Sequence, residues 1–514
     1  MKTKKYKYLL IAIAFIATII SCSDEYLDVE PKGVFLSGNY YANQEQAYTG
    51  LVAVYDVMRK NSGGFENMIT MMNAGSDDHY AGGGNSSDGA GIQSFSNYSL
   101  NPIEMPVSFW SDHYQGIYRA NILLQKLPNV PMDEDLKNRY MAETKALRAY
   151  YYFNLVRMFG NIPLITEPVS SADMYNVTQA SSKDVYTQIE NDLDDAIDFL
   201  PGTLDMTEEA GRFTKGAAQA LLGKVYLYDK NEDPERPNKP ALAATLLAQV
   251  NGTPGQTSQY GYKLLDDFND LWVVDNKFNT EAILEVVHTN VGLSGWGNWG
   301  SGSDEGNSVN VMVGPRTYVQ ITDNAPDLPS GWSFNPILPE LYDLLKTDPR
   351  FEATVLDMKA LEEAGSASYI AGYQDTGYFL NKFTPTKAVE HTGAGDAVLN
   401  YRQNTYAIRL ADTYLLEAEA LGATGPRAQA LLDAVRDRAF GDTSHRVTVS
   451  MDAIMAERRL ELAGEGHRWF DLVRTGRATA KLASRGYVAG KHNIFPIPFK
   501  ELENTKLVQN PNYN

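Results

Sequence analysis

The chain has 514 residues, 43% of them hydrophobic and 11% aromatic, which excludes intrinsic disorder and provides for a large core. Its 64 acidic against 45 basic side chains leave a formal charge of −19, which repels phosphate backbones and excludes nucleic acid as a partner. A single cysteine excludes a disulfide framework.

Lys2, Lys4, Lys5 and Lys7 precede an apolar run over residues 8–20, followed at once by Ser21-Cys22. This is the pattern of a secretory signal peptide, residues 1–21, ending at a lipoprotein cleavage site; the run is too short for a permanent membrane span. Cys22 is therefore the expected lipidation site, where two or more acyl chains, each worth roughly 0.8 kcal/mol per buried methylene, give stable anchoring. The acidic Ser23-Asp24-Glu25 that follows looks like a surface-export signal of Gram-negative lipoproteins. The expected location is the outer membrane, lipid-anchored and facing the cell exterior.

Residues 22–514 read as one unit, mainly α-helical. Ala142, Ala146, Ala149, Phe153 and Val156 recur at helical spacing on one face, and Ala218, Leu221, Val225 and Tyr228 repeat the pattern. Ile408, Ala411, Leu415 and Ala418, then Ala453, Ala456, Leu460 and Ala463, extend it toward the C-terminus. A small residue three positions before a tyrosine recurs as Ala149/Tyr152, Gly223/Tyr226 and Ala411/Tyr414, the signature of packed helical hairpins of degenerate tetratricopeptide type. The expected scaffold occupies about 40–230 and 405–514. Between them lies a loop-rich insertion, about 231–404, punctuated by prolines, with a candidate strand over residues 283–287. Residues 73–91 and 291–306 are dominated by Gly, Ser, Asn and Asp and read as long surface loops.

Seven scattered histidines offer no metal-ligand spacing, and neither a metal nor another cofactor is expected. Glu457, Glu461 and Glu465 stand four apart among several arginines, a spacing that repels unless paired, so they read as a structural ion network rather than a catalytic set. Trp469 and His467 in the same stretch read as packed residues. Asp77-Asp78-His79 in the first glycine-rich loop fits a calcium ligand, a sugar contact or a plain solvated turn. Trp296 and Trp299 flank Gly297-Asn298 inside a polar loop, and Trp332 sits between Gly331 and Ser333, where no amphipathic pattern buries such rings. An exposed aromatic plate stacks on the apolar face of a sugar while polar neighbours read its hydroxyl rim. The alternative is that one or more of these rings plugs a local core beneath its loop.

Residues 118–121 (YRAN) and 143–165 (ETKALRAYYYFNLVRMFGNIPLI) resemble the first helical region of SusD-like (RagB/SusD) proteins. Residues 408–420 (IRLADTYLLEAEA), 432–439 (LDAVRDRA), 457–476 (ERRLELAGEGHRWFDLVRTG), 495–498 (FPIP) and 509–513 (QNPNY) follow in that family's order. The resemblance implies a helical scaffold of four degenerate tetratricopeptide-like hairpins and non-catalytic binding of an oligo- or polysaccharide. It also implies delivery to a TonB-dependent porin of SusC type, over which the protein acts as a hinged lid. It further implies a glycan platform built from the early loop and the middle insertion, here Asp78, His79, Tyr80, Trp296, Asn298, Trp299 and Trp332. Net negative charge favours a neutral glycan. Two rivals remain: a surface glycoside hydrolase, which needs a carboxylate pair roughly 5–10 Å apart across a cleft, and a helical-repeat protein that binds peptides.

Overall fold

The computed structural model describes residues 41–170 and 172–513; the signal segment and Cys22 lie outside them. Helix predominates. The scaffold helices are α1 (Gln44–Tyr55), α2 (Met68–Ala74), α3 (Ala90–Ser96), α4 (Ser108–Lys126), α5 (Glu134–Phe159), α6 (Ser182–Ile197), α7 (Lys215–Tyr228), α8 (Lys239–Asn251), α9 (Leu410–Ala420), α10 (Gly425–Phe440), α11 (Met451–Glu461) and α12 (Arg468–Arg474). Each of α4 to α7 packs on the next in chain order, α7 pairs with α8, and α9 docks against α8 before pairing with α10. The result is a stack of antiparallel hairpins.

Local chemistry sets the helix boundaries. Asp133, Ser181, Thr214 and Ser450 each accept a hydrogen bond from a first-turn N–H of α5, α6, α7 and α11, and Gly160 takes a positive φ of 73° to end α5. Small residues set the spacing between helices. A Cβ on Gly116 of α4 would stand 2.6 Å from the Tyr151 ring of α5, and one on Gly223 of α7 would stand 2.7 Å from Leu247 of α8. The α5 face anticipated from Ala142 to Val156 is buried, but so are Tyr150, Tyr151, Tyr152 and Leu155. From Ala142 onward the helix lies inside the stack and is covered on nearly all sides.

Three readings of the sequence need correction. Ile408 lies in a strand, and helix α9 starts only at Leu410. Helix α11 ends at Glu461, with Ala456 exposed and Ala453 half-exposed; its buried side carries Ile454, Glu457, Arg458 and Glu461. Buried arginine partners satisfy those carboxylates, so a charged face points inward where the alanine pattern suggested an apolar one. Helix α8 falls within the span expected to be insertion, yet it completes a scaffold hairpin with α7. Pro240 sits in its first turn, where the missing N–H costs nothing, and so opens a helix instead of breaking one.

The chain leaves the scaffold through β1 (Ala282–Val286) and returns through β6 (Thr405–Arg409), which pair antiparallel. Between them run two more two-stranded ribbons, β2 (Val319–Gln320) with β4 (Ala367–Ser368) and β3 (Val355–Asp357) with β5 (Tyr378–Leu380). A fully buried ion network joins this excursion to the scaffold. Arg350 donates to Glu457 at 2.7 Å and to Glu461 at 2.8 Å, Arg409 to Glu461 at 2.6 Å and to Glu465 at 2.9 Å, and Lys382 to Glu465 at 2.8 Å. Glu281, just before β1, takes Arg409 at 3.0 Å and Arg438 at 2.7 Å. Despite burial, the surrounding guanidinium groups hold the Glu461 and Glu465 carboxyls below their usual range. Replacing Glu461 with Ala leaves Arg350, Arg409 and Arg438 short of their shared carboxylate, and the expected cost is about 3–5 kcal/mol. Chemical denaturation of the soluble form measures it; a loss below about 1 kcal/mol would contradict the assigned role.

Candidate functional site

The 295–304 loop is braced from within. Asn298 accepts the Gly295 N–H at 2.7 Å and donates to Ser303 Oγ at 3.1 Å, while Asp304 takes the Gly300 N–H at 2.8 Å. Arg59 of the scaffold donates to the Gly300 carbonyl at 3.0 Å, and Asp396 accepts the Trp296 N–H at 3.2 Å. Below the loop, Ser294 and Asn400 exchange two hydrogen bonds, of 2.9 and 2.7 Å.

Trp332 arrives from a separate segment. Gly331 packs so tightly on Gly314 that a Cβ would stand 2.3 Å from its carbonyl oxygen, and the Trp332 N–H donates to Val311 at 2.9 Å. Residues 333–337 then form antiparallel bridges with the early loop, Gly82 with Phe334 and His79 with Ile337.

These two segments bring the three tryptophans into one corner. Trp296 and Trp332 lie nearly parallel, 24° apart with ring centroids at 5.9 Å. Trp299 stands almost perpendicular to both, 5.5 Å from Trp296 and 5.4 Å from Trp332. Trp296 is 57% exposed; the other two are half-buried. Beneath them Phe65 meets Trp299 edge-on at 5.9 Å and Phe334 at 5.2 Å, and the Trp299 indole N–H is tied to Ser308 at 2.9 Å. Trp299 therefore wedges the loop to a small core, the alternative weighed from the sequence, while remaining half-buried beside the other two rings. Trp110 and Trp272 pack elsewhere among aromatic rings.

The early-loop residues expected beside the tryptophans are placed differently. Asp78 and His79 are each 1% exposed. Arg459 donates to Asp78 at 2.6 Å, and Arg468 chelates the neighbouring Asp77 at 2.7 and 2.8 Å, so these carboxylates offer no face to a ligand. His79 binds the Asn335 carbonyl through Nδ1 at 3.0 Å, and the half-buried Tyr80 has Arg485 over its ring. This loop is the bed on which residues 332–337 lie. Asn298 likewise acts through the loop it braces. Two neighbours went unread in the sequence: Phe65, which follows Gly63-Gly64, and Arg316. Arg316 donates Nη1 to the Trp332 carbonyl at 3.1 Å and packs against Gly84, and its remaining side-chain N–H groups have no partner among the described residues. Among the described arginines only Arg157, Arg316 and Arg485 lack an ion pair, and of these Arg316 is the one beside the tryptophans. The residues thus offer flat apolar rings, one steep aromatic wall and a free planar donor, a set that suits a pyranose and its hydroxyls.

The chain matches known proteins along most of its length. Residues 25–227 match a family described as starch-binding and associating with the outer membrane, and residues 342–513 match the SusD family. A solved structure of a laminarin binding SusD-like protein is 66% identical, covering 92% of this chain and 100% of its own, with a TM-score of 0.88. Surface glycan-binding protein A from Bacteroides thetaiotaomicron, solved with laminarihexaose, is 25% identical over 91% of this chain and 99% of its own, with a TM-score of 0.79. SusD-like protein P25 of Formosa agariphila is 25% identical over 97% of each chain. The chain belongs to the SusD family. All three clustered tryptophans lie between the two segments that the family models match.

Burial holds His79 and His288 near a pKa of about 4, against 6.5 when free, so both are neutral in the fold. His288 anchors the neck of the excursion through Ser62 at 2.7 Å. Between pH 6.5 and 4 the unfolded chain binds more protons than the folded one, so stability present above 6.5 is lost as the pH falls toward 4. The melting temperature is expected to drop steadily from pH 7 to 5, and less so in His288→Gln; an unchanged melting temperature across that range would refute the assignment.

Proposed function

We propose that this protein captures a neutral glucan of the laminarin type on the cell surface, binding it unchanged at the corner formed by Trp296, Trp299 and Trp332. The observation that carries this reading is the exposed Trp296 stacked alongside Trp332, in a chain 66% identical to a protein described as laminarin binding. Arg316, fixed through one N–H and open at the others, reads the hydroxyl rim. A purely binding role is supported by how three carboxylates of the surrounding loops are used. Asp88, Asp304 and Asp396 each accept a main-chain N–H and so brace loops.

Lipidation at Cys22 tethers the protein to the outer membrane, and a SusC-like TonB-dependent porin receives the glycan. The signal pattern and the family resemblance support both steps. Among the described residues no helix is long and apolar enough to cross a membrane.

Calorimetric titration of the soluble form with laminarin is expected to give saturable binding. Trp296→Ala and Trp332→Ala should each weaken it by about thirtyfold, near 2 kcal/mol, and Arg316→Gln by about tenfold. No reducing sugar should appear during prolonged incubation. Binding that survives all three substitutions would move the ligand elsewhere, and sugar release would make the protein a hydrolase. In cells, Cys22→Ala should abolish palmitate labelling and release the protein from the membrane fraction; retained label would place the anchor at another residue.

A further inference from the structure

Phe65 serves two places at once. Its ring supports Trp299, and it also forms one wall of a separate cleft of about 360 Å³, large enough for a ligand. The opposite walls come from the start of α3, at Ala90 to Ile92, and from Glu104 and Pro106 ahead of α4. No tryptophan lines this cleft.

The walls are kept close by glycine. A Cβ on Gly89, whose φ is +73°, would stand 2.8 Å from the Phe65 ring, and one on Gly91 would stand 2.7 Å from Pro106. The cleft combines apolar surface from Phe65, Ile92 and Pro106 with two carboxylates at its rim, Glu66 and Glu104. Each carboxylate is held by one oxygen: Glu66 Oε2 accepts from the Ser108 hydroxyl at 2.5 Å, and Glu104 Oε2 from the Asn101 amide at 2.8 Å. The other oxygen of each has no hydrogen-bond partner among the described residues. Ile103, beside Glu104, is 82% exposed at the mouth.

An apolar wall under a rim of hydrogen-bond acceptors suits a pyranose ring, whose flat C–H face stacks while its hydroxyls donate. The same two carboxylates repel a uronate or a sulfated sugar. Phe65 is common to the tryptophan corner and the cleft, one ring bordering both, so the two are immediate neighbours. We propose that this cleft is an annex subsite that takes further neutral hexose residues of the glycan bound at the tryptophan corner. The proposal rests on the glycan-binding reading above and deepens it: the site is longer than its aromatic centre and selects against acidic chains.

Titration with laminaritriose and laminarihexaose tests it, using the full mature chain. The wild type should bind the hexaose at least tenfold more tightly than the triose. Ala90 is exposed at the head of α3, so Ala90→Arg places a long side chain and a guanidinium beside the two carboxylates without disturbing the core. It should cost about tenfold on the hexaose and nothing on the triose. The paired substitution Glu66→Ala with Glu104→Ala removes the acceptors without filling the cleft and should also weaken only the hexaose. An unchanged hexaose-to-triose ratio in both variants, with native circular dichroism, overturns the annex while leaving the tryptophan corner intact. A wild type that binds neither oligosaccharide overturns the glycan reading and the annex with it. Release of shorter sugars that is lost with the paired substitution would make Glu66 and Glu104 a hydrolytic pair and overturn the annex as a binding subsite.

Discussion

The architecture depends on the carboxylate of Glu461. Three guanidinium groups converge on it: Arg350 from the excursion, Arg409 from the re-entry strand and Arg438 from the following scaffold hairpin. Each ion taken from water costs several kcal/mol, and that cost is offset only when every partner is in place. The knot therefore demands one mutual arrangement of excursion, neck and scaffold, where hydrophobic packing alone would tolerate small slips. Asp77 and Asp78 extend the same logic to the early loop through Arg468 and Arg459. A tryptophan corner assembled from segments far apart in sequence needs such a frame, because a ring displaced by an ångström no longer stacks with its neighbours.

Above that frame the site is built in tiers. Residues 79–83 form a bed, residues 332–337 lie on it, and the 295–304 loop packs against Trp332 and Phe65 with Trp299 as its wedge. Polar side chains within the loops do the bracing, and glycine permits the close approaches at Gly82 and Gly331. The rings are left uncovered by these braces. In the proposed site, preorganisation of this kind lowers the entropy lost on binding, because the tryptophans are already in place.

Much of this was legible in the sequence. Small residues at helical spacing from Ala142 to Val156 identified a buried helix, and the ordered motifs after residue 400 pointed to the family. Trp296, Trp299 and Trp332 stood out because large rings in glycine-rich stretches have no amphipathic pattern to bury them. Asp78 and His79 misled for a related reason: a Gly, Ser and Asp composition reads as solvated loop, whereas their partners Arg459 and Asn335 lie hundreds of positions away. The inward face of α11 was hidden likewise, since periodicity registers apolar residues and is blind to charges buried with their counterions. Phe65 and Arg316 carried only the weak signal of an aromatic or a cation beside glycine or proline.

The neck formed by β1 and β6 has an evolutionary consequence. Because the excursion departs and returns at one paired doorway, insertions and deletions in its outer loops need not propagate into the helical stack. The outer loops can then change while the helical stack keeps its packing. The condition is that each exchanged segment keeps a cation at Arg350 and at Lys382, which makes those two buried residues the passport by which a new binding surface is admitted to an old body.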